Sequence, residues 1–141
     1  MRDIAIKKYV RYLFGVVFLI FILNKLYLRP WVVQNELSTF FQIIVFSIPN
    51  LIEAILGTLI LTGILLHLRQ YSQKTQNIQD ATVYLAAVSI SFLYVTSQEL
   101  KFHNLGGNNV YDPYDLIASV IGLLMTYTII RKFGFLEKRE E

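Results

Sequence analysis

Residues 111–122, Tyr-Asp-Pro-Tyr-Asp-Leu-Ile-Ala-Ser-Val-Ile-Gly, set Asp112 and Asp115 three residues apart at the mouth of an apolar run. Aspartate is a favoured N-cap, proline suits the first helical position, and an acid in the first turn answers the helix dipole. The stretch therefore predicts a helix start. From Leu116 through Ile130 the chain carries no charge, and a bilayer core needs about 20 predominantly apolar residues. A membrane span over about 111–130 is the expectation, with two carboxylates at its entrance.

Working outward, three more stretches meet the same requirement: about 9–28, 48–68 and 81–99. The first has an unbroken apolar centre from Leu13 to Leu23 and, after it, no small-residue cleavage pattern, so it reads as an anchor and not a cleaved signal. The second is preceded by an apolar lead-in. There Pro49 predicts a kink or break after a short interfacial segment built on Phe40, Phe41, Ile43, Ile44 and Phe46. Composition agrees. Only 16% of residues are charged, against about 25% in an ordinary soluble domain. The fold class is all-α, an integral membrane four-helix bundle forming one transmembrane domain over 1–141.

Lysine and arginine set the direction. Arg2, Lys7, Lys8 and Arg11 precede the first span, Arg69 and Lys74 come after the second, and Arg131, Lys132, Lys138 and Arg139 come after the fourth. The other two connections hold only Lys25, Arg29 and Lys101. Ten against three predicts both termini in the cytoplasm. Tyr27, Trp31, Tyr111 and Tyr114 then form an outer aromatic belt, with Tyr9, Tyr12 and Tyr71 at the inner face. Basic residues confined to short flanks are topology signals and speak against a nucleic-acid partner; the lipid bilayer is the expected one.

With direction fixed, a rise of about 1.5 Å per residue puts the polar residues at one depth. Asn24 and Lys25 end the first helix, Asn50 and Glu53 begin the second, Gln98 and Glu99 close the third, and Asp112 and Asp115 open the fourth. Helical spacing groups Asn50, Glu53 and Gly57 on one face and Asp112, Asp115, Ser119 and Gly122 on another. Small residues on such faces let helices approach closely. The predicted ligand-binding residues are therefore Glu53, Gln98, Glu99, Asp112 and Asp115, supported by Lys25, Asn50, Ser119 and Gly122. Carboxylates at membrane depth are expensive and usually functional. Such a layer suits a divalent cation, an amine, a lipid headgroup or a basic partner segment; the sequence specifies no metal.

Each residue also has a plainer reading. Asp112 serves as a helix cap, Glu53 pairs with Lys25, and Glu99 pairs with Lys101 or sits among headgroups. His103 is a solvated loop residue, and Gly106-Gly107-Asn108-Asn109 is a turn. With no cysteine, no catalytic pattern and two histidines expected on opposite sides of the membrane, the sequence predicts no enzyme and no cofactor.

The run Ser97-Gln98-Glu99, a polar loop, and then Asp112-Pro113-Tyr114-Asp115 through Gly122 resembles the third and fourth helices of VanZ-like membrane proteins. Gln98, Asp112, Asp115 and Gly122 match that family's pattern. Ser119 stands where asparagine is usual, Asn109 where arginine is common, and Val95 where an acid is expected. Ser47-Ile48-Pro49-Asn50 resembles a proline-containing motif of its second helix. The resemblance implies a four-helix plasma-membrane protein of the bacterial envelope, in a family linked to glycopeptide (teicoplanin) resistance. Two further expectations stand beside a binding role: an accessory or assembly subunit that joins partner membrane proteins, and, ranked last, transport or toxin immunity.

Overall fold

The computed structural model describes residues 4–100 and 112–137. It is all-helical, with four helices long and apolar enough to cross a membrane: α1 (Lys8–Gln34), α2 (Thr39–Tyr71), α3 (Asp80–Glu99) and α4 (Pro113–Phe133). Tyr111, Lys101, His103 and the glycine-rich turn lie outside the described residues.

The start of α4 is the one the sequence specifies. Asp112 has extended backbone angles and its carboxylate accepts the amide of Tyr114 at 2.9 Å, with Pro113 in the first turn. Arg131 and Lys132 occupy the last turn, where cations suit the dipole, and Gly134 (φ 74°) ends the helix.

The first two helices outrun the expected spans. At 33 residues α2 is about 50 Å long, against about 30 Å for a hydrocarbon core. Both helices pass through a proline that reads locally as a stop. In α1, Pro30 comes just after a π-helical turn, Asn24–Leu28, in which the Arg29 amide bonds Asn24 O five residues back. The extra residue opens the ladder just ahead of a ring that cannot donate and would crowd the preceding turn. In α2, Pro49 causes no break. Its missing N–H leaves Val45 O without the usual donor, and Asn24 Nδ2, from α1, bonds that oxygen at 3.1 Å. Arg29 Nη2 bonds the next carbonyl, Phe46 O, at 3.0 Å. Neighbouring side chains thus repair the defect, as hydrocarbon surroundings demand.

The central post is α2, which packs against each of the other three helices, while α3 and α4 also pack against each other. Along its length α1 packs on α2, and at its first turn the Tyr9 ring meets Phe133 of α4 edge-on at 5.9 Å. Three buried threonines in the packed seam are satisfied within their own helices: Thr58 bonds Ala54 O, Thr62 bonds Thr58 O and Thr126 bonds Gly122 O, at 2.7–2.8 Å. Gly122 is required where it stands. A Cβ there would lie 2.5 Å from Leu51 O and 3.2 Å from Ala54 Cβ. The close approach expected at Gly57 does not occur, because a Cβ at that position meets nothing within 4 Å.

The 4–7 and 134–137 segments lie at the same end. Ile6 pairs with Leu136, Lys7 N bonds Phe135 O at 3.0 Å and Glu137 N bonds Ala5 O at 2.8 Å. Phe135, 2% exposed, plugs the bundle against Gly63; its amide donates to Tyr84 Oη at 2.9 Å, and Tyr9 Oη donates to Gly134 O at 2.5 Å. Lys7 Nζ caps Phe133 O. Nearby, Arg69 joins Asp80 at 2.6 Å and Ile78 O at 2.7 Å, fixing the α2–α3 connection.

Candidate functional site: a mixed-charge pocket and its groove

The end opposite the termini is built differently. Beyond its first turn α1 leans on α2, and at this end a gap separates it from the ends of α3 and α4. The gap is a cavity of about 280 Å³ lined by Phe21, Lys25 and Arg29 of α1, Pro49, Asn50 and Glu53 of α2, Gln98 and Glu99 of α3, and Asp115 of α4. Four helices contribute polar groups to one volume.

The expected residues sort into three groups. Glu53, Gln98, Glu99, Asp115, Lys25 and Asn50 come together in this cavity. Ser119, 2% exposed, donates to Asn50 O at 3.4 Å and borders an adjoining groove, while Gly122 lies deeper in the α2–α4 seam and packs. Asp112 lines neither cavity; it is the helix cap, though Asp115 and Glu99 feel its charge. The Asn50 and Ser47 side chains stand near the Asp115 carboxylate.

The plainer account of Glu53 fails. Lys25 and Arg29 both act on it electrostatically, yet neither reaches it: among the described residues the only ion pair joins Arg69 to Asp80. Three carboxylates (Glu53, Glu99, Asp115) therefore share a pocket with two cations, and none of the five forms a contact pair. Arg29 is the member that sequence reasoning missed. In the sequence it reads as a topology signal, although it stands four residues after Lys25, the spacing that puts two side chains on one helix face. Its Nη2 is engaged by Phe46 O, its guanidinium lies 4.9 Å over the Phe46 ring, and its Nε is buried with no acceptor among the described residues. The acidic layer is thus a mixed-charge pocket. Among the described residues no group of three or more His, Cys, Asp or Glu side chains could hold a metal ion.

The pocket continues into a groove of about 310 Å³ between α2 and α3. Asn50, Glu53, Gln98 and Glu99 line both spaces, and beyond them the groove is walled by Gly57, Ile60, Leu61 and Ile64 on α2 and by Ile90, Ser91, Tyr94 and Val95 on α3. Ile60, Ile64, Ile90 and Tyr94 are each about half exposed, so the groove opens sideways, towards lipid. A polar head compartment thus joins an apolar trough along the membrane-facing surface.

No protein-family model matches the chain, and no curated protein or solved structure matches it. The chain itself is all-helical, with four helices able to span a membrane.

Proposed function

We propose that this chain is a VanZ-like, multi-pass protein of the bacterial plasma membrane that binds the cationic head of a membrane-borne ligand and performs no catalytic turnover of its own. In this reading both termini are cytoplasmic and the pocket faces outward, as the lysine and arginine distribution favours. One observation carries it: carboxylates from three helices line one cavity without a contact ion pair, although two cations stand nearby. Isolated charge at this depth is costly, and a bound cation removes the cost. An amine suits the pocket better than a metal, since the carboxylates do not converge on a point.

The test uses dodecylamine, a cation on a single chain, added to the full-length protein in neutral detergent and followed by native mass spectrometry. A one-to-one adduct is expected, and the Glu53→Gln, Asp115→Asn double variant should lose it while keeping its helical content. A wild-type protein that takes up no dodecylamine would sink the proposal. Orientation has its own test. The chain has no cysteine, so Glu36→Cys and Lys74→Cys each supply a single thiol. In intact cells an impermeant maleimide should label only the first.

The accessory-subunit reading is favoured by one feature, the crown formed where α1 and α2 rise past the ends of α3 and α4. Trp31, Phe40 and Phe41 are each more than half exposed there. Purification in mild detergent separates the readings: a stoichiometric partner supports the subunit, and a lone chain opposes it.

A further inference from the structure

The pocket holds charges of both signs, and this narrows the ligand. Building on the cation-binding reading above, we infer that the site takes a zwitterionic phospholipid with a primary ammonium headgroup, phosphatidylethanolamine in type, with one acyl chain in the α2–α3 groove.

Three features carry this. The first is the division of charge within the cavity. Lys25 and Arg29 form the α1 wall, while Glu53, Glu99 and Asp115 stand on α2, α3 and α4. A phosphate would face the α1 wall and an ammonium the other three helices, so a headgroup carrying both satisfies the pocket as neither a simple amine nor an anionic lipid does. Lys25 and Arg29, two charged donors on one wall of the cavity, are suited to phosphate oxygens.

The second is the groove. From Glu53 to Ile64 it runs along α2 for about 16 Å. One leaflet of a hydrocarbon core about 30 Å thick is about 15 Å deep. A chain leaving the polar pocket would run down the trough to the middle of the bilayer, and the sideways opening between Ile60, Ile64, Ile90 and Tyr94 lets a lipid enter from the membrane.

The third is Gly57. A Cβ there meets no heavy atom within 4 Å, so this glycine is not needed for packing and leaves the trough open. A primary ammonium also has three N–H donors for three carboxylates and the Gln98 amide oxygen, whereas a quaternary ammonium has none.

Native mass spectrometry of the full-length protein in neutral detergent tests the assignment. Phosphatidylethanolamine, phosphatidylcholine and phosphatidylglycerol of identical chains are compared with dodecylamine. Phosphatidylethanolamine should bind one to one, roughly tenfold more tightly than the other two phospholipids, a preference of about 1.4 kcal/mol. Lys25→Gln should weaken phosphatidylethanolamine and leave dodecylamine equal or tighter, because it removes a phosphate partner and a competing cation. Gly57→Leu should weaken both ligands, since both need the trough, with thermal stability unchanged. If all three phospholipids bind alike, or Lys25→Gln leaves phosphatidylethanolamine unaffected, the lipid assignment is overturned while dodecylamine binding keeps the cation-binding reading in place. If dodecylamine fails on the wild-type protein, both are overturned.

Discussion

The two ends of this bundle solve the same problem in opposite ways. At the end that holds the 4–7 and 134–137 segments, backbone and side chains close on one another. The 4–7 and 134–137 segments pair through their backbones, Tyr9 and Tyr84 bond the C-terminal turn, Arg69 meets Asp80, and Phe135 fills the space between helices. At the other end five charged side chains from four helices surround a cavity without a contact pair. Both ends use the same chemistry in the same bilayer. The difference shows that the open end is not short of partners, since Lys25 and Arg29 are within electrostatic range of Glu53. Its helices hold the charges apart. A chain that can seal one end and leaves the other ajar keeps room there for something else.

The largest effect should come from breaking the sealed end. Phe135→Ala deletes a side chain only 2% exposed, and large-to-small changes at such aromatic positions cost about 3–5 kcal/mol. Thermal unfolding in detergent should drop sharply, and dodecylamine should still bind to the remaining folded fraction. A Phe135→Ala protein as stable as the parent would mean that the clasp of the termini is incidental.

Next is the link between α1 and α2. Asn24→Leu strips Val45 O of its donor, a loss of about 1–2 kcal/mol for a hydrogen bond between membrane helices. In the Pro49→Ala background the backbone regains an N–H for that oxygen, so the same change should cost far less. A double-mutant cycle measures the coupling; additive costs would show that the side chain does not replace the missing amide.

A third change sharpens the contrast. Glu53→Gln removes a charge that has no contact partner, so the fold should lose almost nothing, within about 0.5 kcal/mol, or gain slightly. Marked destabilisation would instead make Glu53 a structural residue. The smallest effect should come at the turn between the first two helices. There Glu36 has φ 49°, its amide bonds Val33 O and that of Leu37 bonds Val32 O, a glycine-type helix ending occupied by glutamate. Glu36→Gly should raise stability by up to about 1 kcal/mol, with ligand binding unchanged.

The sequence is legible where the physics is local. Apolar run lengths mark four helices, and Asp112-Pro113 announces a cap that the structure contains. The shared depth of Lys25, Asn50, Glu53, Gln98, Glu99 and Asp115 comes from rise per residue and chain direction. What escapes is tertiary. Pro49 reads as an interruption because its repair comes from Asn24, 25 positions earlier, a pairing that no periodicity reveals. Pro30 hides the true length of α1 for a similar reason, since the π turn before it leaves no mark in a hydropathy pattern. Gly57 carries the spacing of a helix contact yet borders a groove, because small residues open space as readily as they close it. Lys25 and Glu53 match in depth and line one cavity without touching, and depth is all that residue counting supplies.

The bond from Asn24 to Val45 O also bears on how the chain is made. Synthesis delivers α1 before α2, so a helix carrying a buried asparagine must wait in the bilayer for its partner. Its partner arrives with the complementary flaw, a carbonyl that no amide of its own helix reaches. In lipid neither the Asn24 amide N–H nor the Val45 carbonyl has a partner, and the two meet only as a hairpin, in one vertical alignment. Sliding α2 by a single turn would strand the carbonyl and the amide together. The proline therefore acts as a notch that sets the height of one helix against the other, and with it the height of Lys25 and Arg29 opposite Glu53.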